Sequence, residues 1–143
     1  MPITLTDVQD LIEAYAETAE SLERNRKFGE GLFGITPGPA DDPAHDRFVE
    51  DLRQMLNQFG AQNPVSSEVL PVLETIYDAA QNHQSVQSAY WMLMAVHGLT
   101  ADLIPRLSHE DAAMLLGRYE KQFPRRFRLP VQRQVISALK KQR

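Results

Sequence analysis

SVQSAYWMLMAVHG, Ser85 to Gly98, is the stretch on which the fold class turns. From Ala89 to Val96 every residue is apolar. The run does not alternate as a half-buried strand would, and nowhere in the chain do two adjacent alternating segments offer a hairpin. A helix that is apolar on every side belongs at the centre of a bundle. The run is also much shorter than the ~20 residues a bilayer requires. Ser85 to His97 is therefore expected to form a central helix, with Gly98 as its C-terminal cap.

Helical spacing continues on both sides. Upstream, Val69, Leu70, Leu73, Ile76, Tyr77 and Ala80 form one stripe, on a helix that starts at Ser66 or Ser67 and holds Pro71 in its first turn. Before it, Asp42 and Pro43 read as N-cap and first helical residue of a helix that buries Phe48, Val49, Leu52, Met55, Leu56 and Phe59 and stops at Gly60. The first helix carries Val8, Leu11, Ile12, Tyr15, Ala19 and Leu22, opened by a Thr4/Asp7 or Thr6/Gln9 capping box and ended by Gly29. Downstream come a short helix from Thr100 containing Pro105, and a helix capped by Ser108 and Asp111 with Ala112, Leu115, Leu116 and Tyr119 inward. Pro130 starts a last helix with Val131, Val135, Ile136 and Leu139 inward. The expected architecture is all-α, a single domain over 1–143 forming a compact bundle of about six helices. A short solenoid-like stack ranks second, because no internal repeat is visible.

Composition narrows the chemistry. The 143 residues suffice for a core without staples, and there is no cysteine, so disulfides, thiolate metal sites and cysteine nucleophiles are excluded. MPITLTDVQDL has no early cation and does not read as a signal peptide, so a soluble cytoplasmic protein without membrane contact is the expectation.

Three motifs invite catalytic or cofactor readings. Gly29-Glu30-Gly31-Leu32-Phe33-Gly34 matches G-x-G-x-x-G, but a helix precedes it, and Pro37 and Pro39 follow where a nucleotide site needs a helix to begin. Residues 28–41 read instead as a structured Gly/Pro-rich loop, whose Phe28, Leu32, Phe33 and Ile35 dock on the core. Asp42, His45, Asp46 and Glu50 share helical spacing, yet make one imperfect copy of the Glu-x-x-His pair that a dimetal bundle uses twice, so no metal is assigned. His97 reads as a structural histidine and not as a general base. His109, Glu110 and Asp111 are explained by helix capping beside Ser108. No nucleophile elbow, P-loop or zincin pattern is present, so no cofactor and no catalytic residue is assigned.

Charge is the sharper signal. Residues 1–117 hold 6 Lys/Arg against 18 Asp/Glu, a net of −12, whereas 118–143 hold 9 against Glu120 alone, a net of +8. On the first helix Asp10, Glu13, Glu17 and Glu20 form one stripe, ~165° from the apolar centre at ~100° per residue. In the C-terminal segment, Pro124 and Pro130 predict an extended FPRRFRL linker. Phe123 and Phe127 would anchor it to the core, with Arg126 and Arg128 outward, and Arg133 and Lys140 would be exposed on the last helix. The basic face of Arg125, Arg126, Arg128, Arg133 and Lys140 could pair with the chain's own acids, grip an acidic protein, or contact phosphates.

The expected function is a non-catalytic acidic helical protein that binds and neutralises a basic protein, in the manner of an immunity protein, antitoxin or phage-type inhibitor, through Asp10, Glu13, Glu17 and Glu20. The alternative is a nucleic-acid-associated protein using the basic segment. An enzyme with dispersed catalytic residues is third.

Overall fold

The computed structural model describes residues 2–33 and 43–143, the side chains of 26–33 excepted. Among these residues the fold is all-α with no strand: α1 (Leu5–Phe33), α2 (Pro43–Ala61), α3 (Ser66–Asn82), α4 (Gln87–Ala95), 3-10 turns at Val96–Thr100 and Ile104–Arg106, α5 (His109–Gln122) and α6 (Pro130–Gln142). They share one core of buried apolar side chains running from Val8 to Leu139. No described helix is long and apolar enough to cross a membrane.

Local chemistry sets the helix starts. The Thr4 N–H donates to Asp7 Oδ2 at 2.8 Å and Asp7 N–H to Thr4 Oγ1 at 3.4 Å, the reciprocal box that opens α1. At α3 and α6 the N-cap residues are apolar, Val65 and Leu129, so only half of a box forms. Glu68 Oε1 accepts from Val65 N–H at 3.3 Å, and Gln132 Oε1 from Leu129 N–H at 2.7 Å. At α5 the box is completed by another helix. Asp111 N–H donates to Ser108 Oγ at 3.1 Å, but Ser108 N–H donates to Ser66 Oγ at 2.8 Å, and Ser66 in turn donates to Asp111 Oδ2 at 2.6 Å. The first residue of α3 thus links the starts of two helices.

The helix at the centre is α3 and not α4. α3 buries Val69, Val72, Leu73, Ile76, Tyr77, Ala79 and Ala80, and packs on α1, α4 and α5. α4 is shorter than expected and buries Ala89, Leu93 and Met94, while Trp91 is 50% exposed. An all-apolar run satisfies a central position but does not require one, because much of any folded surface is apolar. The charges of α3 hid its centrality. Glu74 and Asp78 lie on one strip, where Arg118 of α5 pairs with both.

Several punctuation residues act differently from expectation. α1 continues through Gly29 to Phe33, since a glycine permits a stop without compelling one. α2 runs one residue past Gly60, and the reversal into α3 is made at Asn63, whose φ of 52 is left-handed. Pro71 stands inside α3, in its second turn, where one backbone donor is missing. Gly98 lies within the first 3-10 turn and serves as a site of close approach to α6: a Cβ there would meet Val131 Cγ2 at 3.4 Å. The Asp42 cap and residues 34–41 fall outside the described residues, as do the side chains of Phe28, Leu32 and Phe33.

α5 and α6 form an antiparallel pair. His109 Nδ1 meets the Gln142 carbonyl at 2.7 Å, and Gln142 Nε2 donates to the Leu107 carbonyl at 2.6 Å, so the start of one helix lies at the end of the other. The N-terminus is held in a similar way. Ile3 N–H donates to Gln62 Oε1 at 2.6 Å, and Gln62 Nε2 returns a bond to the Ile3 carbonyl at 3.1 Å.

Candidate functional site

The acidic stripe of α1 stands on the surface. Val8, Ile12, Tyr15, Ala16 and Ala19 are buried, while Asp10, Glu13, Glu17 and Glu20 are exposed on the opposite side. Among the described residues, only Glu20 of the stripe has a cationic neighbour, Arg24 at 3.9 Å, and both side chains are more than half exposed, so the pair adds little. Among the described residues Asp10, Glu13 and Glu17 have no cation partner. Like charges at these spacings cost a helix roughly 0.2–0.5 kcal/mol per pair.

Beside the stripe lies a cleft of about 260 Å³ between α1 and the C-terminal half of α3. Gln9 and Glu13 form one wall, and Thr75, Asp78, Asn82 and His83 the other. These walls are polar, unlike the apolar lining usual for a small-molecule site. Asp78 is already engaged by Arg118 and by Gln122 Nε2. Among the described residues nothing engages the Glu13 carboxylate, so the cleft can accept one basic side chain with amides around it.

The basic segment separates into three parts. Arg118 pairs inward with Glu74 and Asp78, fastening α5 to α3. The turn at 123–129 contradicts the extended reading. Phe127 has φ 69, so the chain reverses there, and the two-residue alternation does not hold. The reason is geometric. An extended run of seven residues would span ~24 Å, whereas packed helix axes lie ~8–10 Å apart. Phe123 is buried as expected, but Phe127 is 85% exposed and does not anchor the turn. Arg128, expected outward, folds back so that its Nε donates to the Phe123 carbonyl at 2.8 Å. Arg133 Nη1 donates to the Arg128 carbonyl at 2.9 Å. Arg125, Arg126, Arg133 and Lys140 are exposed and pair with no acid among the described residues. Among the described residues, pairing with the chain's own acids thus accounts for Arg118 alone in this segment.

Two histidines are buried, each against a tyrosine. His45 Nδ1 lies 2.6 Å from Tyr15 Oη, which stacks on Phe48 at 4.1 Å. His45 therefore points into the core while Asp46 and Glu50 are exposed, so these residues do not share one side. No group of three or more potential metal ligands occurs among the described residues. His97 Nδ1 lies 3.0 Å from Tyr119 Oη, inside a cage of Tyr77, Tyr119 and Phe123 rings. Burial pushes its pKa down from 6.5 to about 3, so it stays neutral. Burial pushes the Tyr77 and Tyr119 hydroxyls well above the usual phenol range. Thr100 Oγ1 donates to the His97 carbonyl at 2.7 Å and accepts from Tyr77 Oη at 2.7 Å. These groups fasten the first 3-10 turn to α3 and α5. Residues 29–33 of the glycine motif lie in α1, with no strand before them, which is not the setting of a phosphate loop.

Sequence reasoning missed the exposed Phe127 and the Ser66 relay. The shortness of the α5–α6 connection could have revealed the first, since a hairpin of helices demands a turn. The second joins residues 45 apart and leaves no local trace. Comparison with protein-family descriptions, curated proteins and solved structures finds no match for this chain.

Proposed function

We propose that this chain is a non-catalytic, cytoplasmic binding protein that captures a basic protein partner on the α1/α3 face, as an immunity protein, antitoxin or phage-type inhibitor does. The observation that carries the proposal is the exposed row of Asp10, Glu13 and Glu17, without a cation partner among the described residues, beside a polar cleft that contains Glu13. A row kept at a cost to the helix gains meaning when a cationic surface neutralises it. Glu20 extends the row by a turn. The cleft would seat a Lys or Arg side chain of the partner, and the remaining acids would steer its approach.

The test is co-expression with neighbouring gene products, followed by association kinetics on the complex. Replacing Glu13, Glu17 and Glu20 by glutamine is expected to slow association about tenfold at low salt, with the difference closing at high salt. A partner of acidic character, or one bound equally well by the triple variant, refutes the proposal.

A further inference from the structure

Phe127 combines features that a purely structural side chain has no use for. The residue is 85% exposed, so it contributes almost no burial. Its φ of 69 places a bulky residue in the left-handed region, which costs energy that glycine would avoid. The guanidinium carbon of Arg126 sits 5.3 Å from the ring centroid, a cation–π contact that leaves the other ring face in water. Arg125 and Arg126 precede it, exposed and without an acid partner among the described residues. The turn is nevertheless held firmly: Phe123 is buried at its root, and Arg128 Nε bonds the Phe123 carbonyl at 2.8 Å.

We propose that the 124–128 turn is a contact site for single-stranded nucleic acid. Phe127 is the platform on which an unpaired base stacks, and Arg125, Arg126 and Arg133 contact the phosphates. Interleaved cations and aromatic faces are the means by which proteins hold single strands without reading sequence. A duplex fits less well, because its base faces are covered by their own neighbours and the turn offers no helix to enter a groove. A protein partner also fits less well. The centre of a protein interface is a dry, charge-poor patch around its anchor, whereas Phe127 is bordered by Arg126 and Arg128. The site shares no residue with the α1/α3 face, so each stands or falls alone.

The test is fluorescence anisotropy of the full chain with labelled strands of about 15 nucleotides at about 50 mM salt. Oligo-dT and oligo-U are both expected to bind, the tighter of the two naming DNA or RNA as the better ligand. An abasic strand and a duplex of equal length should bind at least about fivefold more weakly. Phe127→Ala and Phe127→Gly should each weaken oligo-dT binding about tenfold without changing its salt dependence. Glycine adopts φ 69 freely, so the second variant keeps the turn. Replacing Arg125 and Arg126 by glutamine should reduce the slope of log K against log salt by about 1.4. The proposal is overturned by the absence of binding at the lowest salt, by equal binding of the abasic strand, or by an unaffected Phe127→Gly variant. Displacement of oligo-dT by poly-glutamate as readily as by unlabelled strand would also overturn it.

Discussion

Acidification should unfold this protein through His97, and the size of the effect follows from its cage. In the folded chain the imidazole is buried among Tyr77, Tyr119 and Phe123, and its pKa is lowered from 6.5 to about 3. Between these two values the unfolded chain binds a proton that the folded chain does not. Stability therefore rises with pH across this window; the contribution is flat above the unfolded value and is lost progressively below it. At about 1.4 kcal/mol per unit of pKa difference, acidifying from pH 7 to pH 5 should remove about 2 kcal/mol through this residue alone. Carboxylates also begin to titrate at the lower end, so a variant is needed to isolate the histidine. His97→Leu and His97→Gln will each start less stable at pH 7, having lost the Tyr119 bond or the fit of the ring. The informative quantity is the change with pH. Urea unfolding at pH 7, 6 and 5, followed by helical circular dichroism, should show the parent converging on the variants by about 2 kcal/mol. Parallel lines for parent and variants would refute the reasoning, because they would mean that His97 protonates equally in both states.

Other perturbations test the packing. Ser66→Ala removes both arms of the relay between α3 and α5 and should cost about 1–3 kcal/mol in urea unfolding, while Ser67→Ala, exposed and one residue on, should change stability by less than about 0.5 kcal/mol. Leu73→Ala, fully buried in the central helix, should cost about 2–5 kcal/mol, whereas Trp91→Ala at the half-exposed edge of α4 should cost distinctly less. Arg118→Gln breaks the pairs with Glu74 and Asp78; because the arginine is 44% exposed, the loss should be about 1 kcal/mol or less and should shrink with added salt. Asn63→Gly should be tolerated at φ 52, and Asn63→Ala should lower the thermal midpoint through about 1 kcal/mol of backbone strain.

The secondary structure was legible because it is written in near neighbours. Apolar residues three and four apart placed five of the six α-helices among the described residues, and Thr4, Pro43, Ser108 and Pro130 marked the starts of α1, α2, α5 and α6 to within a residue; α4, expected from an unbroken apolar run at Ser85, begins at Gln87. The charge asymmetry and the solvent-facing stripe of α1 were equally plain, since both depend only on composition and helical period. What depends on partners distant in the chain was not legible. Centrality passed from α4 to α3 because a helix is central by virtue of what surrounds it, and the acids of α3 are met by Arg118 some forty residues later. Gly29, Gly60 and Gly98 permit endings, but α1 and α2 run past the first two, and Gly98 lies inside a 3-10 turn packed close to Val131 of α6. The turn at Phe127 is the sharpest case: two prolines suggested an extended strap, and the requirement that α5 and α6 lie side by side forced a reversal instead, leaving an aromatic ring in water among arginines. Spacing along the chain determines which faces exist; only the close packing of those faces, which joins residues far apart in sequence, determines which are covered and which are left in water.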